Sequence, residues 1–255
     1  MLRKWYFAVN EKGFRSSSPL MRVAVGSALA NTGLEPICLY NGADEAHVAQ
    51  LEAWGARVVR HTSRLEAHLR KGYGDKYDVF SGHWLRVDIP WIEQEEDVIL
   101  YTDIDVMFLR QPRVWLRPVY LAAAPERYRW RWPHFNSGVM VLNLPRMRAV
   151  YDAFAATIAK RMEGGWTEAG HDQVSYNNFF KSRRQPLAHA MNWKPYWGVN
   201  KDARIIHFHG PKPANILHMR EGRKPPMRET YQKLWSTDKE AYDHYCALFQ
   251  GYLEA

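Results

Sequence analysis

The sequence has 255 residues, a mass of 29.9 kDa and a formal net charge of +8, from 35 basic and 27 acidic side chains. Hydrophobic residues make up 46% and charged residues 24%, a globular composition that excludes a mainly disordered, collagen-like or coiled-coil chain. No apolar run reaches the roughly 20 residues that a membrane-spanning helix needs. Two cysteines are too few for a disulfide framework, so we expect a cytoplasmic protein whose positive charge favours anionic partners.

The first 110 residues alternate between short apolar runs and helical patterns. Pro19 suits a first helical turn, Asp44 suits an N-cap, and Gly55 suits the end of the helix that Asp44 begins. This order predicts a largely parallel, doubly wound sheet that binds ligands beyond the carboxyl ends of its strands. The predicted strands are 4–9, 34–40, 56–60 and 98–101, and the predicted helices are 19–30, 44–54 and 81–92.

The second half of the chain is less regular. Residues 210–228 contain four prolines and several basic residues, and they predict a loop. The apolar stripe of the last predicted helix indicates core packing in preference to membrane docking. The remaining predictions are strands at 119–124, 138–142 and 204–208 and helices at 146–162, 171–181 and 230–252.

The most informative local pattern is an apolar strand followed at once by Asp103 and Asp105. Residues 98–101 lack polar alternation, which is typical of a strand buried on both faces. At the end of such a strand both carboxylates can face the ligand crevice. Hard oxygen ligands at this spacing suit Mg²⁺ or Mn²⁺, and such an ion suits a diphosphate. For the pair alone, a solvated turn is the competing interpretation.

Three further motifs follow this pair. Residues 135–144 read Phe-Asn-Ser-Gly-Val-Met-Val-Leu-Asn-Leu, residues 171–173 read His-Asp-Gln, and residues 205–213 read Ile-Ile-His-Phe-His-Gly-Pro-Lys-Pro. In this order and at these separations the set resembles glycosyltransferase family 8, which includes glycogenins and bacterial lipopolysaccharide galactosyltransferases. The resemblance covers roughly residues 4–213.

The resemblance implies an α/β fold of the GT-A type, with a Rossmann-like, mostly parallel sheet and a less regular C-terminal acceptor half. Residues 1–255 would form a single domain, in which 1–110 bind the nucleotide-sugar and 111–255 hold the acceptor half and the C-terminal helix. The implied activity is hexose transfer from a nucleotide-sugar, usually UDP-linked, with retention of configuration. The implied metal cofactor is Mn²⁺ or Mg²⁺.

The resemblance also implies roles for individual residues. Asp103, Asp105 and His207 match the metal ligands, with His209 as the competing histidine because it points to the same strand face. Asp172 and Gln173 match a catalytic pair beside the anomeric carbon. A double displacement needs a nucleophile there, and Gln173 is a poor one, so we favour front-face attack with the departing phosphate as base. The implied donor contacts are Phe7, Ala8, Asn10, Arg86, Asp103, Ile104, Asp105, Asn136, Ser137, Gly210 and Lys212.

Residues 110–132 are expected to serve the acceptor. They contain six arginines against one glutamate, and basic and aromatic side chains alternate from Tyr128 to Trp132. Aromatic faces suit a saccharide, and arginines suit an acidic glycan or lipid headgroup. Single-stranded nucleic acid binding and a solvated loop with inward-facing tryptophans are the alternatives for this stretch.

The expected partners are therefore a nucleotide-sugar donor and a saccharide or glycolipid acceptor of a bacterial-type surface-polymer pathway, with no nucleic acid. Peripheral association with the inner face of a membrane stays open, and the sequence carries no indication of oligomeric state. One alternative is a sugar nucleotidyltransferase, but that activity needs a glycine-rich first loop, and residues 8–15 offer only Gly13. The other is a non-enzymatic saccharide- or nucleic-acid-binding module, which leaves the two aspartates and His207 unexplained.

Overall fold

The protein is described here by a computed structural model that covers residues 2–115, 117–130, 134–164, 171–223 and 228–254. Seven of its strands form a central sheet, and the other two pair separately. The strands of the described residues are β1 (Lys4–Asn10), β2 (Glu35–Asn41), β3 (Arg57–Arg60), β4 (Val98–Thr102), β5 (Val106–Phe108), β6 (Leu121–Pro125), β7 (Phe135–Asn143), β8 (Arg184–Pro186) and β9 (Ile205–His207).

Helices cover the sheet and fill the second half of the chain. Short 3₁₀ turns lie at Gly74–Lys76, Leu85–Asp88, His189–Asn192 and Pro195–Trp197. The α-helices are α1 (Glu11–Asn31), α2 (Glu45–Ala53), α3 (Glu66–Tyr73), α4 (Tyr77–Trp84), α5 (Ile89–Ile92), α6 (Leu144–Ala149), α7 (Tyr151–Glu163), α8 (His171–Phe179), α9 (Pro213–Arg220), α10 (Arg228–Thr237) and α11 (Lys239–Glu254).

The central sheet has the strand order β3-β2-β1-β4-β7-β6-β8. Neighbouring strands are parallel from β3 to β4 and again between β6 and β8, while β7 runs antiparallel to both of its neighbours. The predicted Rossmann-like, mostly parallel sheet is thereby confirmed. The carboxyl ends of β1 and β4 meet at one edge, where ligands bind in sheets of this kind.

The middle of the sheet is buried on both faces. Along β1, Trp5, Phe7 and Val9 pack into one apolar cluster, whereas Tyr6 packs into the cluster on the opposite face. Successive side chains of a strand point to opposite faces, so a strand between two helical layers needs apolar residues at nearly every position. Within the described ranges, no helix combines the length and the apolar character needed to span a bilayer.

Three predicted helices are longer or more broken than expected. α1 begins at Glu11 and not near Pro19, and its backbone leaves helical geometry at Ser17 (φ −138°, ψ 17°). Pro19 therefore lies in the first turn after this kink, where its missing N–H costs nothing. The helix predicted over 81–92 is divided between α4, a 3₁₀ turn and α5, and the helix predicted over 146–162 breaks at Val150.

The prediction of a loop over 210–228 is wrong for its first half, because α9 occupies Pro213–Arg220. Pro213 stands in the first turn, where a proline is tolerated, and the Lys212 N–H donates to Asn215 Oδ1 at 2.9 Å. Residues 224–227 of that predicted loop lie outside the described ranges. The helix predicted over 230–252 is two helices, because Asp238 ends α10 and its carboxylate caps α11 by accepting from the Ala241 N–H.

The second sheet positions part of the functional site. β5 pairs antiparallel with β9, with Val106 opposite His207. α11 covers these strands, since Tyr245 and Phe249 share an apolar cluster with Met107 and Phe208. The apolar side chains of the last helix are therefore core residues, as the sequence indicates.

Candidate active site

A cavity of about 400 Å³ opens at the carboxyl ends of β1 and β4. Its size is that of a small-molecule site. Side chains from α1 and α4 also line it. Of the predicted donor and metal residues, Ala8, Asn10, Asp103, Ile104, Asp105, His207 and Lys212 line this cavity, together with His209.

Three side chains at this cavity form what we call the Asp–Asp–His cluster: Asp103, Asp105 and His207. One ligand atom from each lies within 4.8 Å of the others. Strand pairing brings them together, because the Phe208 N–H donates to the Asp105 carbonyl at 2.9 Å and the Asp103 N–H donates to the Gly138 carbonyl at 2.8 Å. Two carboxylates and an imidazole are donors that suit Mn²⁺ or Mg²⁺, so the residues present fit such an ion.

Asp105 is the most strongly ion-paired member of the cluster. Its Oδ1 lies 3.3 Å from His207 Nε2, and its Oδ2 pairs with the Lys212 ammonium. Burial opposes ionisation, but Lys212 and His207 hold the pKa of Asp105 well below its ordinary value. Lys212 also donates to the Phe208 carbonyl at 2.8 Å. An anionic Asp105 and a nearby cation are therefore fixed features of the cavity.

Arg86 connects the cluster to the predicted catalytic pair. Its Nη2 lies 3.0 Å from Asp103 Oδ1 and 2.8 Å from Asp172 Oδ2. Its Nη1 donates to the Ser137 carbonyl at 2.8 Å. The guanidinium is 2% exposed; burial alone would lower its pKa, but Asp103 and Asp172 raise it above the ordinary value. Arg86 is thus a buried cation between two carboxylates.

The two predicted catalytic side chains are held by protein groups. Burial raises the pKa of Asp172, and the opposing effect of Arg86 is smaller. Gln173 Oε1 accepts from the Ser137 N–H at 3.0 Å and from Asn136 Nδ2 at 3.1 Å. Gln173 Nε2 donates to Glu126 Oε1 at 2.8 Å. The structure therefore brings Asp172, Gln173, Asn136 and Ser137 together behind Asp103.

The remaining predicted donor residues have different surroundings. Asn10 caps α1 by accepting from the Gly13 N–H, and it donates to the Asp78 carbonyl. Both ends of its side-chain amide therefore already have protein partners. Phe7 is buried, stacks on Trp5 with ring centroids 4.9 Å apart and lies opposite Cys38 in the sheet, so its side chain belongs to the core. Gly210 has φ +103°, a conformation that favours glycine.

His209 lines the cavity outside the Asp–Asp–His cluster. Its Nδ1 lies 2.9 Å from the Tyr196 hydroxyl, and its ring centroid is 5.6 Å from that of His207. Burial holds the pKa of His209 well below its ordinary value, and the neighbouring His207 and Lys194 act in the same direction. His209 is therefore a neutral neighbour of the cluster.

Sequence reasoning missed two residues of the site. Gly138 lies against the cluster so closely that a Cβ there would meet His207 Cε1 at 2.4 Å and Asp103 Oδ2 at 2.7 Å. Asn192 is fully buried, and its Oδ1 lies 3.0 Å from His207 Nδ1. A glycine inside a buried apolar strand is a signal for close approach. Asn192 carries no such signal, since its partner is 15 residues further along the chain.

The described part of the predicted acceptor stretch presents aromatic rings to solvent. We call residues 125–130 the aromatic segment; Trp130 is 74% and Tyr128 41% exposed, with ring centroids 5.9 Å apart. Their exposure contradicts the alternative in which these rings tuck inward. Arg131 and Trp132 lie outside the described residues. The segment is linked to the cavity through Tyr196, whose hydroxyl contacts the cavity residue His209 and donates to the Glu126 carbonyl at 3.3 Å.

Neighbouring side chains hold the backbone of the aromatic segment. Lys194 Nζ donates to the Pro125 carbonyl at 2.9 Å, and Trp197 Nε1 donates to the Arg127 carbonyl at 2.8 Å. Lys194 is fully buried, and burial holds its pKa well below the ordinary value. Side chains of residues 194–197 thus hold the three successive carbonyls of residues 125–127, while the aromatic rings that follow stay accessible.

Comparison with solved structures places this architecture among known folds. GlyE, a glycosyltransferase of Streptococcus pneumoniae TIGR4, matches in its apo form with a TM-score of 0.63 and 18% identity over 97% of this chain and 64% of GlyE. The galactosyltransferase LgtC, in a complex with donor and acceptor sugar analogues, matches with a TM-score of 0.62 and 17% identity over 92% of this chain and 94% of LgtC. Mouse xyloside xylosyltransferase 1 matches with a TM-score of 0.55 and 18% identity over 81% of this chain and 97% of that enzyme.

The protein has a GT-A-like glycosyltransferase fold. The fold expected from the resemblance to glycosyltransferase family 8 is confirmed by these neighbours. This GT-A-like chain spans less than two thirds of the length of GlyE. No protein-family model matches the sequence, and no curated protein matches it in sequence.

Proposed function

We propose that the protein is a metal-dependent, retaining glycosyltransferase of family 8 that moves a hexose from a UDP-linked sugar to a glycan or lipid-linked saccharide. The observation that carries this proposal is the Asp–Asp–His cluster in a cavity at the carboxyl ends of β1 and β4. Carboxylates, imidazole and the Lys212 ammonium converge there, which is the combination that a metal-bound diphosphate requires.

In this proposal Asp103, Asp105 and His207 hold Mn²⁺ or Mg²⁺. When bound, the ion supplies Lewis-acid neutralisation of the charge that develops on the diphosphate leaving group. Lys212 adds a point charge beside Asp105, and Gly210 allows the turn that brings Lys212 there. Arg86 compensates the charge of Asp103 from behind, with its Nη2 3.0 Å from Asp103 Oδ1.

The surroundings of Asp172 and Gln173 support the front-face route. A double displacement needs a free nucleophile beneath the anomeric carbon. Asp172 is buried and paired with Arg86, and the Gln173 carboxamide is held at both ends. We therefore assign both residues to orienting the transferred sugar, and we assign the proton of the acceptor hydroxyl to the departing phosphate oxygen.

The aromatic segment is the proposed acceptor platform. Exposed rings offer flat apolar faces to a saccharide, and Arg127 and Arg129 offer charge to an acidic glycan or headgroup. The proposed division of the chain at residue 110 refers to the order of the motifs along the sequence. The cavity itself is lined from both halves, since His207, His209 and Lys212 come from the second half. A cytoplasmic location with peripheral membrane contact belongs to the same proposal.

A screen of nucleotide-sugars for Mn²⁺-dependent release of nucleoside diphosphate tests this function. We expect UDP release with one UDP-sugar, lost on chelation and in Asp103→Asn, and kept in the exposed control Asp97→Asn. Release of pyrophosphate from a nucleoside triphosphate and a sugar phosphate would instead show a nucleotidyltransferase. Saccharide binding without turnover of any nucleotide-sugar would show a binding module.

A further inference from the structure

A row of three side-chain amides, two of them buried and one half-buried, runs from the aromatic segment to the Asp–Asp–His cluster. We call Gln173, Asn136 and Asn192 the amide relay. Gln173 donates to Glu126 at one end, and Asn192 meets His207 at the other. Within the relay, Asn136 Nδ2 donates to Gln173 Oε1 at 3.1 Å, and Asn192 Nδ2 donates to Asn136 Oδ1 at 2.9 Å.

Two backbone N–H groups set the direction of this relay. A side-chain amide can be turned end for end, but a backbone N–H can only donate. The Ser137 N–H faces Gln173 at 3.0 Å, so the facing atom is the oxygen of that amide. The Gly138 N–H faces Asn136 at 3.2 Å, so that atom too is an oxygen. Both orientations are therefore fixed by groups that cannot reverse.

The orientation of Asn192 follows from its neighbour. Asn136 presents an oxygen, so Asn192 must present its NH₂ group to it, and the oxygen of Asn192 then faces His207 Nδ1 at 3.0 Å. An amide oxygen only accepts, so Nδ1 of His207 carries a proton. In the neutral imidazole that carries this proton, the lone pair is on Nε2, the atom that lies 3.3 Å from Asp105 Oδ1.

We infer that Asn192 is a positioning residue whose oxygen keeps the His207 proton on Nδ1 and so presents the Nε2 lone pair to the metal bound by the Asp–Asp–His cluster. This inference rests on the proposed function for its metal. The alternative tautomer would donate from Nε2 to Asp105 and would have no lone pair there to bind an ion. An amide achieves this without adding charge to a site that already holds two carboxylates.

Replacing a group that orients a metal-binding histidine typically weakens metal affinity by about 10- to 100-fold. We expect Asn192→Leu, which has the same branched shape but no acceptor, to weaken Mn²⁺ binding by about that factor. Asn192→Asp keeps an acceptor for Nδ1 and loses the donor to Asn136, so it should stay within a few-fold of wild type. Asn143→Leu is the matched control, because Asn143 is also a buried amide, located at the end of β7 and bonded to the Pro118 carbonyl outside the relay.

The decisive readout is ¹⁵N NMR of His207 in the metal-free protein, which needs no metal and no turnover. We expect a proton bonded directly to Nδ1 of His207 in the wild type, in Asn192→Asp and in Asn143→Leu. In Asn192→Leu we expect the neutral form of His207 to lose that Nδ1 proton. A neutral wild-type His207 protonated on Nε2, or an unchanged Nδ1 proton in folded Asn192→Leu, overturns the inference. If this pattern appears but the wild type binds no Mn²⁺, the proposed metal function fails while the tautomer assignment stands.

Discussion

The metal side of the site and the side that holds the aromatic segment are stabilised in different ways. On the metal side, Asp105 and Arg86 are buried, and each charge is paired with other protein groups. On the other side the aromatic segment is held through its backbone and the Glu126 carboxylate, while Tyr128 and Trp130 expose their rings. Removing one member of a buried network of paired charges leaves its partners without a counter-charge, whereas each exposed ring can be removed without disturbing the others. Substitutions should therefore reduce turnover on the first side and acceptor affinity on the second.

The largest effect is expected from the carboxylates of the cluster. Asp103→Asn and Asp105→Asn each remove a charged ligand and should lower the transfer rate by about 100-fold or more, since a few kcal/mol of transition-state stabilisation is lost. Steady-state transfer at saturating Mn²⁺, with circular dichroism to confirm folding, measures this. Rates within a few-fold of the Asp97→Asn control would contradict the metal assignment.

A smaller effect on the same side is expected from the backbone beneath the cluster. Gly138→Ala places a methyl group 2.4 Å from His207 Cε1 and 2.7 Å from Asp103 Oδ2, so the ligand atoms of the cluster must shift apart or out of place. Mn²⁺ affinity should fall by about 10-fold or more. Gly26→Ala is the control, because a Cβ there meets no atom within 4 Å. Calorimetric titration with Mn²⁺ decides, and equal affinities in both variants would show that the close approach is unimportant.

On the opposite side, Tyr128→Ala and Trp130→Ala should each raise the KM for acceptor by about 3- to 10-fold, because one aromatic contact is worth about 1 kcal/mol. The affinity for UDP should not change. Trp91→Ala removes a tryptophan of 41% exposure that packs on Tyr151, away from the aromatic segment, and serves as the control. A parallel loss of UDP affinity would remove the distinction between the two sides.

No effect on turnover is expected from the ion pairs at the amino end of β1. Burial alone would raise the pKa of Glu93, but hydrogen bonds from Tyr6 and Lys4 lower it to about 2. A lowered folded-state pKa stabilises the fold above the unfolded pKa of about 4.3 and loses that contribution as pH falls towards 2. Glu93→Gln should therefore lower Tm by several degrees at pH 7, with the difference shrinking in acid. A pH-independent difference in Tm would contradict this.

The sequence predicts the metal side better than the rest because its chemistry is local in the chain. Asp103 and Asp105 follow a buried strand directly, and His207 lies on a short strand whose pattern is visible. The antiparallel pairing of β5 with β9 that joins them is not visible, because each strand has only three residues. Asn192 is recognisable only from its contacts, since no periodicity or motif marks it.

Helix boundaries in the second half illustrate a similar limit. Pro211 and Pro213 read as helix breakers, yet Pro213 begins α9 because a proline fits the first helical turn. Asp238 interrupts a continuous apolar stripe, and only its capping bond to Ala241 shows that α10 and α11 are separate. Such breaks depend on single hydrogen bonds that an apolar pattern does not report.

The central claim is that the Asp–Asp–His cluster joins a nucleoside diphosphate to the protein through a divalent ion. Calorimetric titration of UDP into wild-type protein, with Mn²⁺ and after chelation, tests it most directly. We expect UDP to bind with Mn²⁺ and to bind little or not at all after chelation, and we expect binding to be lost in Asp105→Asn but not in Asp97→Asn. UDP binding of equal strength without metal, or undiminished binding in folded Asp105→Asn, would contradict it.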